Sequence, residues 1–144
     1  MKQSPATFRQ RPITVTILAL LVLIIAISNL IRFWSAIDYW EILTTLEIKP
    51  GPLYIALTGL FWALAGCWLA WLLWKGHRKS KLALIIFSIL YLLYVWLDRL
   101  FFQSHLPQKN TVFIVGLQIL VVFYIILTLL LPSNQEFFSR KHDE

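Results

Sequence analysis

The stretch PLYIALTGLFWALAGCWLAWLLW, residues 52–74, decides how this chain folds. It carries no charge before Lys75, and its small residues Ala56, Gly59, Ala63, Gly66 and Ala70 recur at spacings of 3, 4, 3 and 4. Crossing about 30 Å of hydrocarbon at about 1.5 Å per residue takes about 20 apolar residues. Lipid offers the backbone no hydrogen-bond partner, so such a run is a helix. The spacing puts all five small residues on one stripe, and small residues let helix backbones approach closely in lipid. The stripe reads as packing against a neighbouring span of the same chain. The sharper alternative is an interface with a second copy or with a larger membrane complex.

Outward from this segment, three more runs have the same character. Residues 12–31 are uncharged between Arg11 and Arg32, residues 82–97 are uncharged before Asp98, and residues 110–135 are uncharged before Glu136. Spans are expected near 13–33, 52–74, 82–103 and 111–131, with a tail over 132–144, all in one transmembrane domain. The composition agrees, because 59% of the 144 residues are hydrophobic and only 14% are charged. Soluble domains run about 45–50% apolar and about 25% charged. The fold class expected is therefore an all-α integral membrane protein, a four-helix up-down-up-down bundle. A basic leader, an apolar core and Ala26-Ile27-Ser28 resemble a cleavable signal peptide. However, the apolar run continues through Ile31 to Trp34, which favours a retained span.

Charge placement predicts orientation. Lys2, Arg9, Arg11, Lys75, Arg78, Lys79, Lys81, Arg140 and Lys141 fall on one side of such a bundle, and Arg32, Lys49, Arg99 and Lys109 on the other. The positive-inside rule then places both termini in the cytoplasm, with the cell membrane as location. The net charge of +6 is explained as a topology signal, so nucleic acid is not expected as a partner and the lipid bilayer is.

The connections are short except one. Gly76 suits the position just past a helix end, and the loop over 76–81 forces the second and third spans to be antiparallel neighbours. Pro107 and Asn110 punctuate a second hairpin, and Ser133 to Glu136 form a capping-box pattern in the tail. Between the first two spans, Trp34, Ile37, Trp40, Leu43 and Leu46 recur every three residues, with Asp38, Glu41 and Thr45 on another side. This predicts a short amphipathic helix at the outer interface, anchored by aromatic rings.

Polar groups within the spans collect in the outer leaflet. Phe87, Tyr91, Tyr94 and Asp98 share one face of the third span at spacings 4, 3 and 4. Asp98 lies roughly 24 Å along the helix from Leu82, and Gln118 about 10 Å below the outer start of span four. Asn29 and Arg32 end the first span at a similar level, with Tyr54 and His105 on that side too. Ionisable groups at such depth face the bundle and pair. Asp98 is expected to pair with Arg32, since its sequence neighbour Arg99 points about 100° away. Asn29 or Gln118 would supply further donors. The candidate polar layer is thus Asn29, Arg32, Tyr94, Asp98, Arg99 and Gln118. The competing reading is that Asp98 and Arg99 snorkel into headgroups. Trp34, Trp40, Trp68, Trp71 and Trp74 fit aromatic belts, whereas Trp62 falls near the midplane and reads as packed core. Cys67, the single cysteine, reads as a small buried hydrophobe.

Several chemistries find no support. The three histidines, His77, His105 and His142, lie outside the spans, so no pair is placed to hold a haem iron. No metal-ligand spacing, P-loop or nucleophile elbow occurs. No cofactor is expected, and no catalytic constellation is visible. A non-enzymatic structural or accessory membrane subunit follows. The alternative is binding or transport of a lipid or small hydrophobic molecule at an outer-leaflet polar pocket.

Overall fold

The computed structural model describes residues 12–47, 49–77, 79–102 and 111–131. These form five helices: α1 (Ile13–Asp38), α2 (Trp40–Thr45), α3 (Pro52–Lys75), α4 (Ser80–Phe102) and α5 (Thr111–Leu130). α1, α3, α4 and α5 are each long and apolar enough to cross a membrane. The fold among the described residues is all-helical, compatible with a multi-pass membrane protein.

Helix ends follow local chemistry. Pro52 occupies the first turn of α3, where its missing N–H leaves nothing unsatisfied. Gly76 closes α3 in the left-handed conformation, at φ 67° and ψ 30°. The Gly76 N–H donates to Leu73 O and the His77 N–H to Leu72 O, both at 3.2 Å, which satisfies two carbonyls at the helix end. The turn then hands over directly to α4, with Ser80 donating from N and Oγ to His77 O at 2.8 and 2.6 Å.

One boundary differs from the sequence reading. α1 does not stop near residue 33 but continues to Asp38. Nothing between Pro12 and Pro50 breaks a helix by sequence, and Ala36 is buried, so burial draws the extra turn into α1. At 26 residues α1 is about 39 Å long, beyond the roughly 30 Å of a hydrocarbon core. The amphipathic segment predicted over Trp34 to Leu46 is therefore divided. Trp34 and Ile37 belong to α1, and only the six residues Trp40–Thr45 form α2.

α1 and α3 form the best-packed pair. A Cβ added at Gly59 would meet Asn29 O and Phe33 N at 2.9 Å, and one added at Gly66 would meet Ala26 Cβ at 2.9 Å. Ala56, Gly59, Ala63, Gly66 and Ala70 are all buried. The small stripe thus lies against α1 within the same chain. Early α3 meets late α1, and late α3 meets middle α1.

The core sits towards one end. Val15, Leu18, Ala19 and Val22 of α1 pack with Leu69, Ala70 and Leu73 of α3 and Leu84 of α4. Tyr124, Ile125 and Leu129 of α5 rest on this cluster. The Tyr124 hydroxyl donates to Thr14 O at 3.1 Å, which pins the far end of α5 to the start of α1. Hydroxyls along the helices donate one turn back: Ser28 to Ile24 O, Thr58 to Tyr54 O, Ser88 to Leu84 O and Thr128 to Tyr124 O. Such bonds satisfy a hydroxyl without water. Cys67, expected to be buried, is exposed, because it lies just beside the stripe and faces away from α1.

Candidate functional site

The polar residues of α1 and α4 meet across a shared face. On α1, Asn29 and Arg32 are three residues apart; on α4, Tyr91, Tyr94 and Asp98 rise at spacings 3 and 4, which places both sets in matching rows. Arg32 Nη2 lies 3.5 Å from Asp98 Oδ1, and Arg32 Nη1 donates to the Tyr94 hydroxyl at 2.6 Å. One turn lower, Asn29 Nδ2 donates to the Tyr91 hydroxyl at 3.3 Å and to Ile25 O at 2.8 Å. From α3, Tyr54 adjoins Asp98, Thr58 adjoins Tyr94, and the Tyr54 ring packs on Phe102 at 5.1 Å between centroids.

The Asp98 side chain is only 9% exposed and that of Arg32 32%, so the pair has a dry carboxylate and a half-open guanidinium. Burying a carboxylate is costly unless it is paired, and the cation from α1 supplies the pairing across 3.5 Å without a hydrogen bond to that oxygen. Arg99 is buried as well. Its helical offset from Asp98 aims it elsewhere, so it joins the layer in depth but not in the Arg32 contact.

Beneath the ion pair lies an aromatic stack. Trp62 of α3 is buried and touches Phe87, Tyr91 and Tyr94, with ring centroids 5.4, 5.0 and 5.3 Å away. Phe87 and Tyr91 stack with an interplanar angle of 4°. Such pairs add about 0.5–1.5 kcal/mol each beyond area burial. The aromatic face of α4 is therefore packed on α3, which orients the Tyr91 and Tyr94 hydroxyls towards α1.

On the other side of α4 the packing opens. An apolar cleft of about 320 Å³ runs between α1, α4 and α5, with Val22, Ile25, Leu84, Val95, Val121 and Ile125 on its walls. An apolar cavity of roughly 150 Å³ holds benzene, so this space admits a larger hydrophobic group. Three polar side chains reach it: Ser88, Tyr91 and Gln118. Tyr91 links the two features, since it lines the cleft and accepts from Asn29 in the polar layer.

The predicted site residues are thus partly brought together. Arg32, Tyr94 and Asp98 form one connected group, and Asn29 sits one turn below it, bonded to Tyr91. Gln118 does not join it: α5 stands across the cleft from α4, and the Gln118 side chain faces the cleft and the groove between α4 and α5. Asn29 donates to Tyr91 and not to Asp98. Sequence reasoning missed that Trp62 would back the aromatic face and that a cleft would flank it. The 4, 3, 4 spacing gives the face, but only the fold gives its neighbours. In comparisons with known proteins, no family model, curated sequence or solved structure matches this chain.

Proposed function

We propose that this protein is a non-enzymatic integral membrane protein that holds a lipid or small hydrophobic molecule in the cleft between α1, α4 and α5. Its four long helices run up-down-up-down through the cell membrane, with both termini cytoplasmic and α2 lying at the outer interface. The observation that carries this reading is the cleft itself: a space of about 320 Å³ walled by three helices, apolar along its length, with a hydrogen-bonded polar layer above it. A hydrocarbon chain in the cleft would restore the contacts that an empty space forfeits. Orientation rests on the nine basic residues assigned to the cytoplasmic side.

A second reading is an accessory subunit that packs with itself or with a membrane complex. What favours it is the lean packing of α4 and α5, whose most apolar stretches are 11% and 6% buried. The small-residue stripe no longer supports it, because α1 covers that stripe.

Purification in a mild detergent, followed by native mass spectrometry, separates the two. A single retained lipid mass supports the cleft reading. A protein partner or a homo-oligomer at fixed stoichiometry, with no lipid, supports the accessory subunit and overturns the first. Reporters fused after Glu144 and inserted near Lys109 test topology, with cytoplasmic and external signals expected; the reverse pair contradicts the orientation.

A further inference from the structure

Of the polar side chains on the cleft wall, one makes no hydrogen bond at all with the described residues. Of the three that line it, Ser88 donates to Leu84 O at 2.7 Å and Tyr91 accepts from Asn29. The Gln118 side-chain amide makes no hydrogen bond with any of the described residues. It sits about 10 Å from the start of α5, on a helix otherwise apolar from Val112 to Phe123. Gln118 is half-buried, and in the hydrocarbon that the membrane reading puts around it a primary amide without a partner costs about 1–3 kcal/mol, so its presence on an apolar wall calls for a complement.

The chemistry of that complement follows from the amide. Gln118 offers two N–H donors and one acceptor oxygen. Orphaned N–H groups are tolerated less well than under-satisfied carbonyls. The matching group is therefore an acceptor, and preferably one that brings no proton of its own into an apolar cleft. An ester carbonyl at the head of an acyl chain meets both conditions and accepts more strongly than an ether oxygen does, and the chain fills the apolar length below it.

Resting on the lipid-binding reading, we propose that the cleft takes an acyl-ester lipid, one chain of which lies between α1, α4 and α5, and that Gln118 is the specificity residue that donates to its ester carbonyl. Gln118 thereby distinguishes an ester-linked chain from an ether-linked one of the same length.

The test uses the full chain in a non-ionic maltoside detergent. Monopalmitoyl glycerol, which has the carbonyl, and hexadecyl glycerol, its ether counterpart, are titrated separately and binding is read by native mass spectrometry. The wild-type protein is expected to prefer the ester about tenfold, the scale of one hydrogen bond made to an otherwise unsatisfied group. Gln118→Leu is expected to bind both equally, with the affinity for the ether at least retained. Equal binding of the two by the wild type overturns the Gln118 assignment while leaving the cleft reading intact, as does a preference that survives in Gln118→Leu. Binding of neither probe overturns both. The wild-type comparison needs no variant, so it stands even if Gln118→Leu folds poorly.

Discussion

Two pairs of helices in this molecule contrast sharply. α3 against α1 is closed: 39% of the most apolar stretch of α3 is buried, and a Cβ added at Gly59 or Gly66 would meet α1 at 2.9 Å. α5 against α4 is open, with 6% of the corresponding stretch of α5 buried, although α5 is the more apolar helix. Apolarity alone therefore does not pack helices. In lipid the surrounding chains are as apolar as leucine, so association depends on close approach and polar contacts. α3 has a five-residue small stripe for that purpose. α5 has one glycine, Gly116, whose Cβ position faces open space, so it contributes no seam.

The largest effect that tests this contrast is expected at the closed seam. Gly59→Leu and Gly66→Leu drive a branched side chain into backbone or Cβ atoms that a single added Cβ would already meet at 2.9 Å. Each should cost about 3 kcal/mol or more in a detergent unfolding titration, at or beyond the upper range for overpacking. Unchanged stability would mean that α1 and α3 do not pack as described.

Next in size is the ion pair that bridges α1 and α4. Asp98→Asn leaves Arg32 without its anion. Removing one partner costs about 3–5 kcal/mol for a fully buried pair and under about 1 for an exposed one. With Arg32 a third exposed, about 2–3 kcal/mol is expected, between those limits. The Arg32→Gln, Asp98→Asn double variant should recover part of it, and a double-mutant cycle in the same titration measures the coupling. Strict additivity would show that the two side chains act independently, as headgroup anchors do.

The smallest effect belongs to the open side. Gly116→Ala places a methyl where nothing lies within 4 Å, so it should gain about 0.5–1 kcal/mol from helix propensity alone. A loss instead would reveal a neighbour packed on α5 at that position.

These elements were unequally legible in the sequence. The four long helices, the small stripe and the Gly76 turn follow from local rules: charge-free runs, residue size at helical spacing, and a residue free to adopt positive φ. The aromatic face Phe87–Tyr91–Tyr94 was also readable, because its spacing is intrinsic to one helix. The end of α1 was not, since Ala36 is buried in the fold and no local signal announces that burial. Gln118 shows the same limit more sharply. Its depth below the helix start is simple arithmetic, yet whether it meets Asp98 or a cleft depends on how far α5 stands from α4. The length of the connecting segment does not determine that distance. The cleft arises from what three helices fail to fill together, so no single stretch encodes it.

The most direct measurement of whether this open side is a binding site is a lipid count on wild type and on Val121→Trp. Val121 lines the cleft, and an indole there would occupy much of the space a chain needs. Native mass spectrometry from mild detergent should find one lipid on the wild-type protein and none on Val121→Trp, while Leu57→Trp, at a position exposed on α3, keeps the lipid. An equal lipid count on wild type and Val121→Trp, with both proteins folded, would contradict the assignment of the cleft as the site.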